Sequence, residues 1–514
     1  SVFLPLFHFY LNQKDLQTRA SVVDSFILIL EKDINSSANP LARSENACIR
    51  AIDAISNSES SFLELKTLFK DAQNKLAYDA KAFFENLNIF AQSMYDLGVY
   101  PNQRQYEDER TTGIISLLNT CIANKDFQLY PHFAAKLYEL HISFGNKTEA
   151  AEALVECSKI LSWDDKSIIS EECGFPDQPK YERKRLILHK AVDLFMETFF
   201  YERALEVLDE LYSYYKNILE DSYNISNICS LQYQCYDNIC NQERNILNRF
   251  YGVKYYGKKF DIYFRDKTFV YRRDGFFMND QMMRDLKDKF PNAKVDPKPP
   301  SEEELQNPNI FYIHVFNLKP RDLPVFDSYE PPSERMVKSV CNITEFYSET
   351  PERIRRPGNY GEFAEWHRNI VKFFIKRPLQ SYVRREPIIE SMTEKYQMSP
   401  IECAVFDTNA KTIELMQKAC MYWRCIRYKL SYNTTAVSSF SMLASGIVNA
   451  AVNGGTKVFQ ELFLESDLKN EEINVKFSQK LKDAFADQLK AVNFALKVHN
   501  IVKSKQYADL HQNI

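Results

Sequence analysis

The 514-residue chain is too long for one ordinary hydrophobic core, and at about 150 residues per domain it divides into roughly three units. Its 45% hydrophobic content is that of a globular protein, and its net charge of -4 excludes a general attraction to polyanions, so we expect no nucleic-acid partner. The longest apolar runs, such as residues 25–30, are far shorter than the roughly 18 to 20 residues of a membrane span.

The eleven cysteines form no Cys-x-x-Cys pair. Scattered cysteines in odd number are typical of thiols in a reducing compartment, so we expect a cytoplasmic protein. The sequence begins with Ser1 rather than methionine. We therefore expect a segment of a longer chain, whose other parts would supply any membrane contact or recruitment to the plasma membrane.

Residues 15–250 have an apolar residue at every third or fourth position, which predicts an antiparallel array of amphipathic helices. The pattern is clearest at Ala150, Leu154, Cys157 and Leu161, and 54 residues later at Ala204, Leu208, Leu211 and Tyr215. This layout is similar to that of tetratricopeptide repeats, but the interval exceeds their 34 residues, so the array is irregular. Taken alone, such an array favours a scaffold.

Near residue 250 the spacing of apolar residues changes from that of helices to that of strands. Phe260, Ile262 and Phe264 alternate with the more polar 261, 263 and 265. The apolar run 269–271 follows a short polar turn, and the two segments together predict a β-hairpin. Residues 309–316 and 341–349 predict further strands between proline-rich loops. The sequence thus predicts a small β-rich unit.

Helical spacing returns after Pro378. Ser399 and Pro400 suit the N-cap and first position of a helix. The last helix carries one apolar stripe: Leu481, Phe485, Leu489, Val492 and Leu496. The predicted fold is therefore multi-lobed and mainly α, with a helical-repeat-like array at 1–250, a β-rich lobe at 251–375 and a helical bundle at 376–514.

One stretch of this bundle disfavours a continuous helix. Residues 446–455 have the sequence GIVNAAVNGG, and each glycine costs about 0.5 to 1 kcal/mol relative to alanine in a helix. A glycine pair usually forms a helix C-cap or a turn. Either a helix ends here, or a helix is interrupted here.

Residues for hydrolytic or metal chemistry do not cluster. The eight histidines form no HxxxH or HxH pair, and the GGTK at 454–457 lacks the rest of a phosphate loop, so we predict no metal site. Between 353 and 385 nine arginines and lysines outweigh Glu362 and Glu365. This basic stretch is either a solvated face or a surface that steers an acidic protein partner.

Residues 128–500 resemble the second DOCK homology region, the catalytic region of DOCK guanine nucleotide exchange factors for Rho-family GTPases. The resemblance is carried in order by five stretches, at 129–163, 250–273, 289–295, 399–416 and 446–464. Residues 1–127 are similar to the family only in being helical.

The resemblance implies a lobe A at 1–250 that forms homodimers, and lobes B (251–375) and C (376–514) that together grip the GTPase. It favours a Rac-type GTPase. It implies no cofactor in this chain, which would act on the GDP, GTP and Mg²⁺ of its partner.

Aligned through AVNGG, Val452 corresponds to the family's nucleotide sensor, a valine that an interrupted lobe C helix presents to the Mg²⁺ site of the GTPase. Gly454 and Gly455 would let the chain leave and re-enter the helix, with Asn453 beside them. Asn449 and Asn453 depart from the usual family forms. The expected GTPase contacts are Ser399, Pro400, Glu402, Asn449, Arg384 and Arg385. The alternative for Val452 is a buried core valine, although Val448 suits that role better.

Two other classes of function remain open. A helical-repeat adaptor would bind a small GTPase without accelerating GDP release. A membrane-surface module would use the basic stretch 353–385 and bind anionic lipid in a salt-sensitive way. Whether the chain is a catalyst is therefore a question for a GDP-release assay.

Overall fold

The computed structural model of the chain forms two compact units. The first comprises Ser1–Phe200 and Ser381–Arg384, and the second comprises Tyr201–Gln380 and Arg385–Ile514. The structure describes residues 2–36, 41–55, 59–124, 128–169, 171, 174–241, 248–274, 278–320, 343–358, 360–429, 437–449 and 455–502.

The first unit is a helical array in which most successive helices pack against one another. Its helices are α1 (Phe3–Asn12), α2 (Leu16–Ser36), α3 (Ala42–Ile55), α4 (Glu59–Lys75), α5 (Lys81–Gly98), α6 (Glu107–Ala123), α7 (Tyr130–Ser143), α8 (Lys147–Ser158) and α9 (Lys180–Glu197). A short hairpin, β1 (Ile168–Ile169) and β2 (Gln178–Pro179), precedes α9. At its start, the rings of Phe3 and Phe7 pack edge-on against Phe26, which joins α1 to α2.

The predicted helical periodicity is confirmed by burial. Ala150, Leu154 and Cys157 on α8, and Leu161 beyond it, are all buried. The second predicted set lies in the second unit, on α10 (Tyr201–Tyr214) and in the π-helical turn that follows, and is buried too. The regular spacing therefore marks the inward faces of these helices.

A buried ionic cluster belongs to the first unit. Arg384 is 3% exposed, and its guanidinium lies 3.3 Å from Glu107 Oε1 and 3.6 Å from Glu149 Oε1. Arg384 also donates a hydrogen bond to Asn146 Oδ1. A charge this deeply buried is tolerated only when paired, so residues 381–384 are tied to the helical array by complementary charge.

The second unit contains an antiparallel sheet with one parallel edge pair. Its strands are β3 (Asn248–Tyr256), β4 (Thr268–Asp274), β5 (Lys294–Asp296), β6 (Tyr312–Pro320), β7 (Ile343–Arg353), β8 (Trp366–Leu379), β9 (Arg385–Pro387) and β10 (Glu394–Met398). The order is β10-β8-β7-β6-β3-β4-β9, with β5 parallel to β6. Helices α12 (Asn279–Lys289) and α13 (Glu302–Gln306) lie between strands in the chain, whereas α11 (Ser222–Asn241) packs against α10.

A hairpin is present as predicted, but its first strand was predicted at the wrong residues. The hairpin pairs β3 with β4, and residues 260–264 lie in the turn-rich connection between them. Positive φ angles at Gly257 (113°) and Asp266 (56°) bracket that connection. Phe260 and Phe264 are buried while Ile262 is 77% exposed, which is the i, i+4 spacing of a turn rather than the alternation of a strand.

Strands continue past the predicted boundary of the β-rich lobe at residue 375. β8 runs to Leu379, and β9 and β10 extend the sheet to Met398, so helical structure returns at Pro400 rather than after Pro378. The strands β6 and β7 do lie at the predicted 309–316 and 341–349 positions.

The chain's last helices are α14 (Pro400–Tyr428), α15 (Val437–Asn449), α16 (Thr456–Gln460) and α17 (Glu472–Val502). The predicted interruption is confirmed, because α15 ends at Asn449 and a new helix begins at Thr456. In the predicted stripe of α17, Leu481 and Val492 are buried but Leu489 is 63% exposed. Gln488 is buried instead, because the inward face follows a 3.6-residue period and passes through 481, 484, 488, 491 and 495.

We expect His141, beside the ionic cluster, to make stability depend on pH. Its Nε2 lies 3.0 Å from the carbonyl oxygen of Tyr382, and burial lowers the pKa of His141 to about 4. His141 is thus neutral when folded, whereas it protonates near pH 6.5 when unfolded. The free energy of unfolding should therefore fall as the pH falls from 6.5 towards 4, by up to about 1.4 kcal/mol per pH unit.

Urea denaturation of the parent chain and of His141→Gln at several pH values checks this prediction. The glutamine amide can still donate to the Tyr382 carbonyl but does not titrate. The difference between the two unfolding free energies should therefore narrow as the pH falls. A difference that is constant with pH would contradict the prediction.

Candidate functional site

The candidate site centres on the interruption between α15 and α16. Val452, Asn453 and Gly454, which the sequence singles out, lie outside the described residues. Asn449 is the last residue of α15. Gly455 is the N-cap of α16, with φ -103° and ψ 175°. Because any residue can adopt that extended conformation, Gly455 itself does not require glycine, contrary to the expectation that it frees the chain to re-enter the helix.

The long helices α14 and α17 pack against each other and support both sides of the interruption. On one side, Phe440, Ala444 and Ile447 of α15 pack into a core with residues such as Tyr422 of α14 and Ala495 of α17. Met442 of the same helix points away from this core and is 64% exposed.

On the other side, α16 and the π-helical turn at Glu461–Glu465 join a second core. There Phe459 and Phe463 pack with Ile401 at the start of α14 and with Leu481 on α17. The two helices flanking the interruption therefore rest on one pair of helices.

Ser399 and Glu402 cap the start of α14. Glu402 Oε2 accepts hydrogen bonds from the backbone N–H of Ser399 at 2.9 Å and from its hydroxyl at 2.7 Å. Pro400 occupies the first turn and is buried. The predicted N-terminus is thus confirmed, and the three residues have a local structural role, whatever contacts they make with a partner.

Arg384 and Arg385 are not surface charges, and here the interpretation as a steering surface is wrong. Arg384 lies in the ionic cluster described above. Arg385 is 4% exposed, and its guanidinium lies 5.2 to 5.7 Å from the ring centroids of Tyr263, Phe264, Phe269 and Tyr271. Buried charges that are enclosed by ion pairs and rings cannot attract a distant partner through solvent.

Most of the remaining basic stretch is paired with carboxylates. Its ion pairs are Arg353 with Glu362 and Glu365, Arg356 with Glu471, Arg368 with Asp407 and Lys372 with Glu394. Arg368 and Asp407 form two bonds, of 2.8 and 2.6 Å, that tie β8 to α14. The excess of positive charge seen in the sequence is therefore largely compensated.

A groove of about 180 Å³ lies in the second unit, between the sheet and α14. Ile370 of β8, Met398 of β10 and Phe406 of α14 supply apolar walls, and Glu349 and Lys372 add charge. Sequence analysis missed this groove because its residues come from three strands and a helix, and each looks like ordinary amphipathic patterning by itself.

Two classes of site find no support among the residues that the structure describes. Within the described ranges no three His, Cys, Asp or Glu side chains are grouped so as to hold a metal ion. None of the described helices is long and apolar enough to cross a bilayer.

The helical array, the antiparallel sheet and the interrupted helix define a multi-lobed, mainly helical protein. The family model "DHR-2, Lobe C" matches residues 425–514, the part with the interruption. The chain is 26% identical over 404 residues to human dedicator of cytokinesis protein 3, covering 76% of this chain and 19% of that protein. It is 24% identical over 418 residues to mouse dedicator of cytokinesis protein 4, covering 78% of this chain and 20% of that protein.

A third relative is the DOCK-like protein 1 of Saccharomyces cerevisiae, 23% identical over 400 residues that cover 74% of this chain and 20% of that protein. The resemblance to the DOCK DHR-2 region is confirmed, because residues 425–514 match its lobe C and about three quarters of the chain is similar to DOCK proteins. It spans about a fifth of the length of these relatives.

We predict that Arg385 stabilises the second unit and does not steer association. Arg385→Ala should lower the free energy of unfolding by about 2 to 3 kcal/mol, because it removes a buried side chain from among four rings. Urea denaturation measures the change. Lys376→Ala, at an exposed position on β8, is the control and should change it by less than about 0.5 kcal/mol. An Arg385→Ala variant as stable as the parent chain would contradict the assignment.

Proposed function

We propose that this chain is a guanine nucleotide exchange factor for a Rho-family small GTPase, and that a Rac-type GTPase is the first to test. The observation that carries the proposal is the interrupted helix within the region that matches the DHR-2 lobe C model. The preference for Rac rests on the GIVxxAVxGG form of residues 446–455 and on the YYGKKF stretch at 255–260.

Exchange of this kind needs no acid, base or metal ligand from the protein. Mg²⁺ requires nearly octahedral oxygen coordination and offsets the charge of the GDP phosphates. An apolar side chain at the Mg²⁺ site of the GTPase offers no oxygen and weakens the bound nucleotide. We assign that role to Val452, as the alignment through AVNGG implies.

Release of the exchange factor follows from linkage. The exchange factor lowers the affinity of the GTPase for nucleotide. By linkage, the binding of GTP with Mg²⁺ lowers the affinity of the GTPase for the exchange factor by the same factor. The catalyst therefore acts by stabilising the nucleotide-free GTPase. For the docking surface, we propose the groove beside α14, whose apolar walls and three charged residues, Glu345, Glu349 and Lys372, suit one side chain of the GTPase.

The alternatives give different results in one assay. An adaptor binds the GTPase without accelerating release of fluorescent GDP. A membrane module binds anionic vesicles, but the paired state of the basic stretch leaves that idea with little support.

Val452→Ala should separate the sensor role from a core role. If Val452 is the sensor, GDP release in excess Mg²⁺ should slow by at least about fivefold, the equivalent of roughly 1 kcal/mol for two methyl groups. The melting temperature should barely change, and the GTPase should still bind. Val458→Ala, which removes the same methyl groups from α16, is the matched control.

A well-folded Val452→Ala variant that exchanges nucleotide at the parent rate would rule out the assignment. If instead the variant melts earlier and loses activity in proportion, Val452 is a core residue.

We further propose that the chain forms a homodimer through α11, within the predicted lobe A. Tyr223, Tyr233 and Tyr236 of this helix are 76%, 68% and 53% exposed, while only Ile228 and Cys235 among its described side chains are buried. Large amphipathic side chains gathered on one exposed helix are typical of a surface that another protein covers. A second copy of the chain covers it symmetrically in the simplest assembly.

The double variant Tyr233→Glu/Tyr236→Glu should be a monomer, because it places charges at the centre of that surface. Light scattering at micromolar concentration should report a dimer for the parent chain. Tyr78→Glu, at an exposed tyrosine of the first unit, should leave the dimer intact. A monomeric parent chain, or a dimeric double variant, would contradict this interface.

A further inference from the structure

Beyond Asn474 in its first turn, two buried polar side chains interrupt the apolar inner face of α17. Gln488 is 6% exposed and His499 is fully buried, and between them the face consists of Ala491, Val492, Ala495 and Val498. The two are eleven residues apart, which is three helical turns or about 16 Å. Because a buried polar group is costly unless it is hydrogen-bonded, each needs a partner at a defined place.

The partner of His499 is on α15. The Oγ of Ser441, which is fully buried, lies 2.5 Å from His499 Nε2 and 2.9 Å from the carbonyl oxygen of Val437. A hydroxyl has one hydrogen, and only the hydroxyl can donate to the carbonyl, so His499 Nε2–H donates to Ser441 Oγ. The His499 ring also packs edge-on against Phe440, with centroids 5.7 Å apart.

The partner of Gln488 is on α16. The hydroxyl of Thr456, the first residue of that helix, donates to Gln488 Oε1 at 2.5 Å. The helix before the interruption and the helix after it are therefore each bonded to the same face of α17.

We propose that Gln488 and His499 are positioning residues for nucleotide exchange. Apolar contacts between helices tolerate small sliding, whereas a buried hydrogen bond is lost when the helix shifts, so polar contacts fix register where apolar contacts only hold helices together. Because α15 and α16 are both hydrogen-bonded to α17, the distance and angle between the end of α15 and the start of α16 are fixed. This inference rests on the proposed exchange function.

The test uses variants of Thr456 in the full chain. Thr456→Val keeps the shape and removes the donor, and Thr456→Ser keeps the donor. In GDP release from the GTPase, Thr456→Val should lower kcat by about three- to tenfold, the value of one hydrogen bond, without changing KM. Thr456→Ser should restore most of kcat. Ser441→Ala should behave like Thr456→Val.

Thr412→Val is the matched control. Thr412 is buried on α14 and donates to the carbonyl of Thr408 at 2.7 Å in its own helix, so its loss removes a hydroxyl without releasing α15 or α16. It should leave kcat and KM near those of the parent chain.

Amide hydrogen exchange supplies a readout that does not depend on activity. Thr456→Val should speed exchange in α16, Ser441→Ala should speed it in α15, and neither should affect α14. Unchanged exchange would overturn the two contacts. Faster exchange with unchanged kcat, or equal losses in Thr456→Val and Thr456→Ser, would overturn the positioning role. A parent chain that releases no GDP from any Rho-family GTPase overturns the proposed function instead, and with it any role in exchange, while the hydrogen-exchange result still decides the contacts.

Discussion

The packing of α14 against α17 is the interaction on which the candidate site depends. These helices are 29 and 31 residues long, and each is far longer than α15 or α16. α15 packs on their middle and far end through Phe440, and α16 packs near the start of α14 through Phe459. Short helices on either side of a break have little stability of their own, so their geometry comes from this shared support.

The arginines of the basic stretch stabilise the fold more than they form a binding surface. Arg384 is enclosed by carboxylates and Arg385 by aromatic rings. Arg368 donates two hydrogen bonds to Asp407 near the start of α14. A count of basic residues along the sequence cannot separate these roles, because burial and pairing are tertiary properties. For the proposed function, complementarity to the GTPase then has to come from shape and apolar contact at least as much as from steering.

Periodicity predicted the helices, the strands β4, β6 and β7 and the interruption of the bundle, because these follow from local spacing and glycine placement. It failed where local spacing has two meanings. Phe260 and Phe264 fit both a strand and a turn, and only their packing around Tyr255 settles the matter. It also chose Leu489 over Gln488 for the core of α17, since a pattern of apolar residues cannot anticipate a polar side chain that is buried with its partner.

An exchange factor of the kind proposed is limited by geometry rather than by chemistry. A valine has no pKa to tune and no charge to orient, so its effect at a Mg²⁺ site depends only on where the backbone places it. An error of about 1 Å in the position of a reacting group can cost orders of magnitude in rate. A protein that relies on an apolar side chain therefore needs rigid flanks. Two hydrogen bonds to side chains buried on one face of α17 meet that need more specifically than additional apolar packing would, because each is directional.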